Sequence, residues 1–298
     1  MRTNAKNHWK RTVLILTILF CCIPIRIQSQ SVAEQPITNQ PILRLRSGQV
    51  TKNLQKATQT TLQFFGHPFH LSTAEGPQPI PILTYHYIAP VPAGKSFGLS
   101  IPPPIFEKQL KALQSRGYRS FFVRDIPSFL HDPATLPSKA IVLTFDDGFR
   151  DFFLYALPLL KKYSVRATLY LVPGFLDTPG YLTTDQVRTI LKSRLVEVGA
   201  HTMHHTNLTE IPLGEAKREI TESKEWLEDT FGITVSTFAY PFGAHSPAIV
   251  AVVNKAGFSA AVSTDPGWMQ SEHELFSLKR IRAGAFLGSR KWSVIGVK

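Results

Sequence analysis

Beyond residue 79 the chain alternates short apolar runs with amphipathic stretches. The runs at 82–85, 141–145, 167–172, 196–200, 237–240 and 260–263 read as strands, that at 141–145 as one of the buried type. Between them, Phe106, Leu110 and Leu113 recur at helical spacing and stop at Gly117. Helices are likewise expected at 152–163 with Pro158 in its course, at 184–191, at 215–231 closed by Gly232, and at 247–256 before Gly257. Repeated strand-then-helix order predicts a parallel sheet, and its extent suits an α/β barrel.

The first 78 residues follow neither period. Arg2, Lys6, Lys10 and Arg11 precede an apolar run at 13–25. That run is shorter than the roughly 20 apolar residues a membrane span requires. Residues 1–29 therefore read as an export signal, cleaved near Ser29 or kept as an N-terminal membrane anchor. Phe20 before Cys21 is too bulky for a good lipoprotein site. Residues 30–78, rich in Gln, Thr, Ser and Pro, read as a poorly ordered linker. The folded domain is expected at 79–298, and the protein outside the cytoplasm: secreted, periplasmic or on the outer face of the cytoplasmic membrane.

With 43% hydrophobic and 18% charged residues the composition is that of an ordinary globular chain. The formal net charge of +12 suggests a nucleic-acid partner until it is apportioned. Residues 1–79 hold nine Lys and Arg against two Asp and Glu, or +7, which leaves 24 against 19, or +5, for the rest. That remainder has no dense basic block with interleaved aromatics, so nucleic-acid binding is not expected. A mildly basic domain suits residence near anionic cell-surface polymers. Both cysteines, Cys21 and Cys22, lie in the N-terminal apolar run, so a metal site in the domain must draw on His, Asp and Glu.

Two such clusters exist. Asp146 and Asp147 end the apolar run at 141–145 and precede Gly148. A turn or helix cap needs one Asp, whereas two side by side repel unless a cation sits between them. His201-Thr202-Met203-His204-His205 follows the run at 196–200. Spaced i, i+4, His201 and His205 would point at a common centre from one helical turn, with His201 and His204 as an i, i+3 alternative. Both clusters fall at C-terminal ends of strands, where parallel α/β folds put active sites. Two imidazoles and a carboxylate make an open catalytic site for a zinc-like cation.

These segments resemble the polysaccharide deacetylase family, carbohydrate esterase family 4. Its T-F-D-D-G motif stands here as Thr144 to Gly148 and its H-[ST]-x-x-H motif as His201 to His205. Ala239-Tyr240-Pro241-Phe242-Gly243 is similar to the third motif, R-x-P-[YF]-G in outline, and Asp265-Pro266-Gly267-Trp268 to the fourth. The likeness spans about residues 79–284. It implies a distorted (β/α) barrel in which Asp146 is the catalytic base and Asp147, His201 and His205 hold a divalent metal, Zn2+ ahead of others. It also implies an oxyanion and substrate pocket with Phe242, through its backbone N–H, Tyr240 and Trp268.

Two departures matter. Ala239 stands where many members have an Arg that orients the base, and Arg280 is the candidate substitute. The late motif with a catalytic His is missing, and His273, between Glu272 and Glu274, reads as an exposed loop. Pro81 to His86 resembles instead the N-terminal motif of the branch that deacetylates poly-N-acetylglucosamine, where the motif order is permuted. That likeness implies His86 as the general acid. His67, His70, His131 and His245 have no assignable partners and read as surface or linker residues.

The expected function is removal of N-acetyl groups from an N-acetylglucosamine-containing polysaccharide, exopolysaccharide ahead of peptidoglycan and chitin. Acetyl-xylan-type ester cleavage is a variant at the same site. Rival readings are a catalytically impaired glycan- or metal-binding module of this fold and a zinc peptidase or amidase. Asp146 argues against the first, since binding alone needs no base, and the lack of H-E-x-x-H argues against the second.

Overall fold

The computed structural model describes residues 76–90 and 99–283. The expected export signal, nearly all of the linker, His67 and His70 lie outside the described residues. In chain order the strands are β1 (Gln78–Pro79), β2 (Ile82–Tyr85), β3 (Arg119–Phe121), β4 (Ala140–Phe145), β5 (Ala167–Leu171), β6 (Val196–Ala200), β7 (Thr237–Ala239), β8 (Ala260–Pro266), β9 (Met269–Gln270) and β10 (Leu278–Arg282). The helices are α1 (Pro103–Ser115), α2 (Ile126–His131), α3 (Leu157–Tyr163), α4 (Thr184–Lys192), α5 (Leu213–Phe231) and α6 (Pro247–Lys255).

Seven of the strands close into a parallel barrel. Its order is β2, β4, β5, β6, β7, β8 and β10, with β10 returning to β2. Strand β3 is an eighth, outside the ring: it pairs with the first half of β4, where Val142 meets Phe121 and Ile82 at once. β1 and β9 form a separate antiparallel pair. This is the distorted (β/α) barrel that the sequence motifs imply.

The apolar runs become strands because both of their faces are covered. Leu83, Tyr85, Ile141, Leu143, Phe145, Leu169 and Leu171 point outward under the helices. Ile82, Val142, Tyr170, Ala260, Val262 and Leu278 fill the barrel, together with Ile80. Val123, Ile126 and Leu130 join this inner cluster and close the N-terminal mouth. One inner layer is polar: the buried Glu197 carboxylate accepts hydrogen bonds from Thr168 Oγ1 (2.8 Å), Thr237 Oγ1 (3.2 Å) and Arg124 N (3.4 Å). Burial pushes Glu197 up to about 7 despite these donors.

Helix ends follow their sequence signals. Thr183 and Gln186 form a reciprocal capping box on α4, and Gly232 ends α5 at φ 64°. The expected single helix at 152–163 is instead a π-helical turn, Phe152–Ala156, running into α3. Pro158 has no N–H for an interior ladder, so it sits in the first turn of α3, where that donor is not needed. Sequence patterning did not anticipate β3, α2 or β10. β3 is only three residues long, and β10 reads as polar because Lys279, Arg280 and Arg282 interrupt it.

Candidate active site

The C-terminal ends of six barrel strands surround a cleft of about 290 Å³. Its lining includes His86 after β2, Asp146 and Asp147 after β4, His201 and His205 after β6, Tyr240 and Phe242 after β7, Thr264 on β8, and Arg280 and Arg282 on β10. A cavity of about 320 Å³ at the opposite end is lined by Arg119, Arg166, Tyr118 and Tyr163 and has no carboxylate. We place the chemistry in the former, which alone combines acids with imidazoles.

Asp147 Oδ1 is 3.4 Å from His201 Nε2 and 3.3 Å from His205 Nε2. One ligand atom from each residue lies within 4.8 Å of the other two. Oδ1 is buried, and these ion-pair distances do not amount to directed hydrogen bonds, so it has no hydrogen-bond partner among the described residues. Burial would raise the Asp147 carboxyl, but the two imidazoles outweigh it and hold it well below the usual carboxylate range. His201 Nδ1 lies 2.7 Å from the Ala239 carbonyl, which can only accept. Nδ1 therefore carries a proton, which leaves Nε2, the nitrogen that faces Asp147, as the atom His201 could offer a cation. A carboxylate oxygen and two imidazole nitrogens gathered this closely fit a divalent cation, which would take the place of the ring protons facing Asp147.

The two histidines do not share a helical turn. Residues 201–207 form a loop in which Thr202 (φ 61°) and His205 (φ 59°) are left-handed, which no right-handed helix allows. Among the described residues, four of the seven non-glycine residues with positive φ, namely Asp147, Thr202, His205 and Phe242, belong to this site or adjoin its ligands. Such concentration of backbone strain is typical of functional centres. His204, the alternative partner, is turned away: Glu219 Oε1 lies 2.8 Å from its Nδ1 and Oε2 accepts its backbone N–H.

Arg280 grips Asp146 with both guanidinium arms, Nη1 to Oδ1 at 2.8 Å and Nη2 to Oδ2 at 2.9 Å. Its Nη1 also donates to Thr144 Oγ1 and its Nε to the Ser263 carbonyl, so the guanidinium is held on three sides. Burial opposes ionisation of Asp146, but Arg280, with His86 and His201, more than offsets it and keeps the pKa below normal. Arg280 thus occupies the position expected of a cation that orients this acid.

His86 Nε2 is 3.8 Å from Asp146 Oδ2. Burial lowers its pKa, against the pull of Asp146 and Asp147, so the ring is neutral at neutral pH. Phe242 is 65% exposed and sets its ring edge-on to His205, with centroids 4.7 Å apart. Tyr240 is buried and donates its hydroxyl to the Phe276 carbonyl, so its phenol is already committed.

Trp268 is not in the cleft lining. It lies in the turn between β8 and β9, where its carbonyl accepts from Ile80 N, and this tie keeps the turn beside β1. His245, expected to lack partners, has them: Nδ1 bonds the Gly243 carbonyl, the ring stacks on Tyr240, and Asp265 lies 3.8 Å from Nε2. His131, also expected to lack partners, lies 3.3 Å from Glu272, at the exposed surface. His273 is exposed, as expected. Thr144, Ser263, Glu219 and Arg282 were not foreseen. The inward alternation Leu278, Arg280, Arg282 is the signal that would have marked β10.

A family model described as polysaccharide deacetylase matches residues 134–261. An inferred polysaccharide deacetylase of Bacillus subtilis (strain 168), YxkH, is 26% identical over 293 residues, covering 95% of this chain and 100% of that one. The poly-beta-1,6-N-acetyl-D-glucosamine N-deacetylase of Escherichia coli (strain K12) is 29% identical over 135 residues, 40% of this chain but only 20% of that protein. Among solved structures, the Streptococcus pyogenes deacetylase PplD in complex with acetate superposes with a TM-score of 0.66 at 27% identity, covering 69% of this chain and 92% of that one.

Proposed function

Since the chain belongs to the polysaccharide deacetylase family, we propose that it hydrolyses N-acetyl groups of an extracellular amino-sugar polysaccharide with a divalent metal, Zn2+ ahead of others, held by Asp147, His201 and His205. The observation that carries this reading is the convergence of those three ligands beside an Arg280-clamped carboxylate. A poly-N-acetylglucosamine substrate is supported by the name of the Escherichia coli relative, and export by the basic start and apolar run of the N-terminus.

A cation in this site would act as a Lewis acid and lower the pKa of water. Asp146 takes the proton of the attacking water, and Arg280 fixes the carboxylate in the plane that receives it. The Phe242 backbone N–H serves as the donor to the oxyanion that develops on the acetyl carbonyl. His86 delivers a proton to the departing amine. Because it rests neutral, it must first gain that proton, and Asp146 is the carboxylate 3.8 Å from its Nε2. Trp268 has no part in this scheme.

The test is acetate release from an acetylated glucosamine oligomer with and without chelator, alongside Asp146→Asn. Chelation should abolish turnover, and Asp146→Asn should lower kcat by about 10²–10⁴-fold with metal still bound. Wild-type protein that binds metal and glycan but releases no acetate would establish the impaired binding module instead.

A further inference from the structure

Arg282 is the one arginine of the cleft with no hydrogen bond or ion pair among the described residues. It pairs in register with Thr84 of β2, and both side chains line the cleft. Standing two residues beyond Arg280 on the same inward face, it lies roughly 6–7 Å nearer the mouth, at about 3.3 Å per strand residue. Arg280 is fully engaged by Asp146, Thr144 and Ser263. Asp147 faces the two imidazoles. The cleft's carboxylates are therefore matched without Arg282, which is exposed at the rim.

An ordinary surface arginine points to solvent from the outer side of an element. This one rises from inside the barrel over the place where the acetamide must enter, flanked by the hydroxyl-bearing Thr84 of β2 and Thr264 of β8. A guanidinium offers a planar fork of donors that suits carboxylate or phosphate. We propose that Arg282 is a specificity determinant that binds an anionic substituent, carboxylate or phosphate, carried by the glycan on or next to the acetylated sugar. The proposal rests on the deacetylase reading and narrows its substrate to an acidic amino-sugar polymer.

The experiment compares three acetylated amino-sugar oligomers of equal length on the full-length, metal-loaded protein. One is neutral, one carries a lactyl-ether carboxylate, and one carries a phosphate monoester. Calorimetric Kd and acetate release are measured for wild type, Arg282→Gln and Arg282→Lys. Wild type should favour at least one anionic oligomer over the neutral one by about tenfold, the scale of one charge-assisted fork. Arg282→Gln should collapse that ratio to within about twofold of one, and Arg282→Lys should keep part of it. A wild type that binds the neutral oligomer as well as both anionic ones, or a ratio unchanged in Arg282→Gln, overturns the proposal. An Arg282-dependent binding preference without acetate release would support the anion site while overturning the deacetylase reading.

Discussion

At the scale of single residues, the partners of a side chain decide its role more than its type does. His204 and His205 are neighbours of one type. Glu219 holds His204 toward α5, whereas a left-handed backbone at His205 swings its ring to Asp147. Equilibrium dialysis against Zn2+ should therefore separate them. His205→Ala loses at least about tenfold in affinity, whereas His204→Ala stays within about twofold of wild type. Equal losses would mean that the loop is free to choose between its histidines. Ala239 teaches the same lesson: the side chain is not the expected arginine, yet its carbonyl fixes the tautomer of His201, and the guanidinium comes from Arg280 on another strand.

At the scale of elements, the barrel depends on what each strand leaves room for. Gly199 points into the barrel beneath the ring of Tyr170. A Cβ there would lie 2.5 Å from Tyr170 Cε1 and 2.8 Å from Thr237 Oγ1. β6 is bound on both edges, by β5 and β7, and cannot shift. Gly199→Ala should cost about 1–3 kcal/mol in chemical denaturation, and Tyr170→Leu in the same chain should restore part of it. An unchanged denaturation midpoint for Gly199→Ala would show that the barrel interior is looser than close packing allows. This position was not legible in the sequence, where Gly199 is one more small residue in an apolar run. Its strand was, because Val196, Val198 and Ala200 recur at the two-residue spacing of a strand.

At the scale of the whole molecule, Glu197 couples stability to pH. It ties β5, β6 and β7 to the segment that closes the N-terminal mouth, through Thr168, Thr237 and Arg124. Its folded pKa of about 7 exceeds the model-peptide value of 4.5, so the fold favours the protonated acid. That stabilisation is complete below about pH 4.5 and is lost as pH rises through about 7, at most about 1.4 kcal/mol for each pH unit crossed. Scanning calorimetry should show wild type losing more stability than Glu197→Gln between pH 5 and pH 7.5, and parallel curves would remove Glu197 as the cause.

The sequence by itself determined the parallel strand-helix order, the two acidic and histidine clusters at strand ends, and the residue types available to a metal. Those features are local: a run of apolar residues tends to bury itself, and the side chains available as ligands are fixed by residue type. Only the tertiary structure decided which histidine faces Asp147, that Arg280 reaches Asp146 across 134 positions of chain, and that Trp268 is not part of the cleft lining. Those outcomes depend on how the ring closes through β10. Its polar alternation looks like surface in one dimension and becomes the wall of a cleft only when seven strands meet.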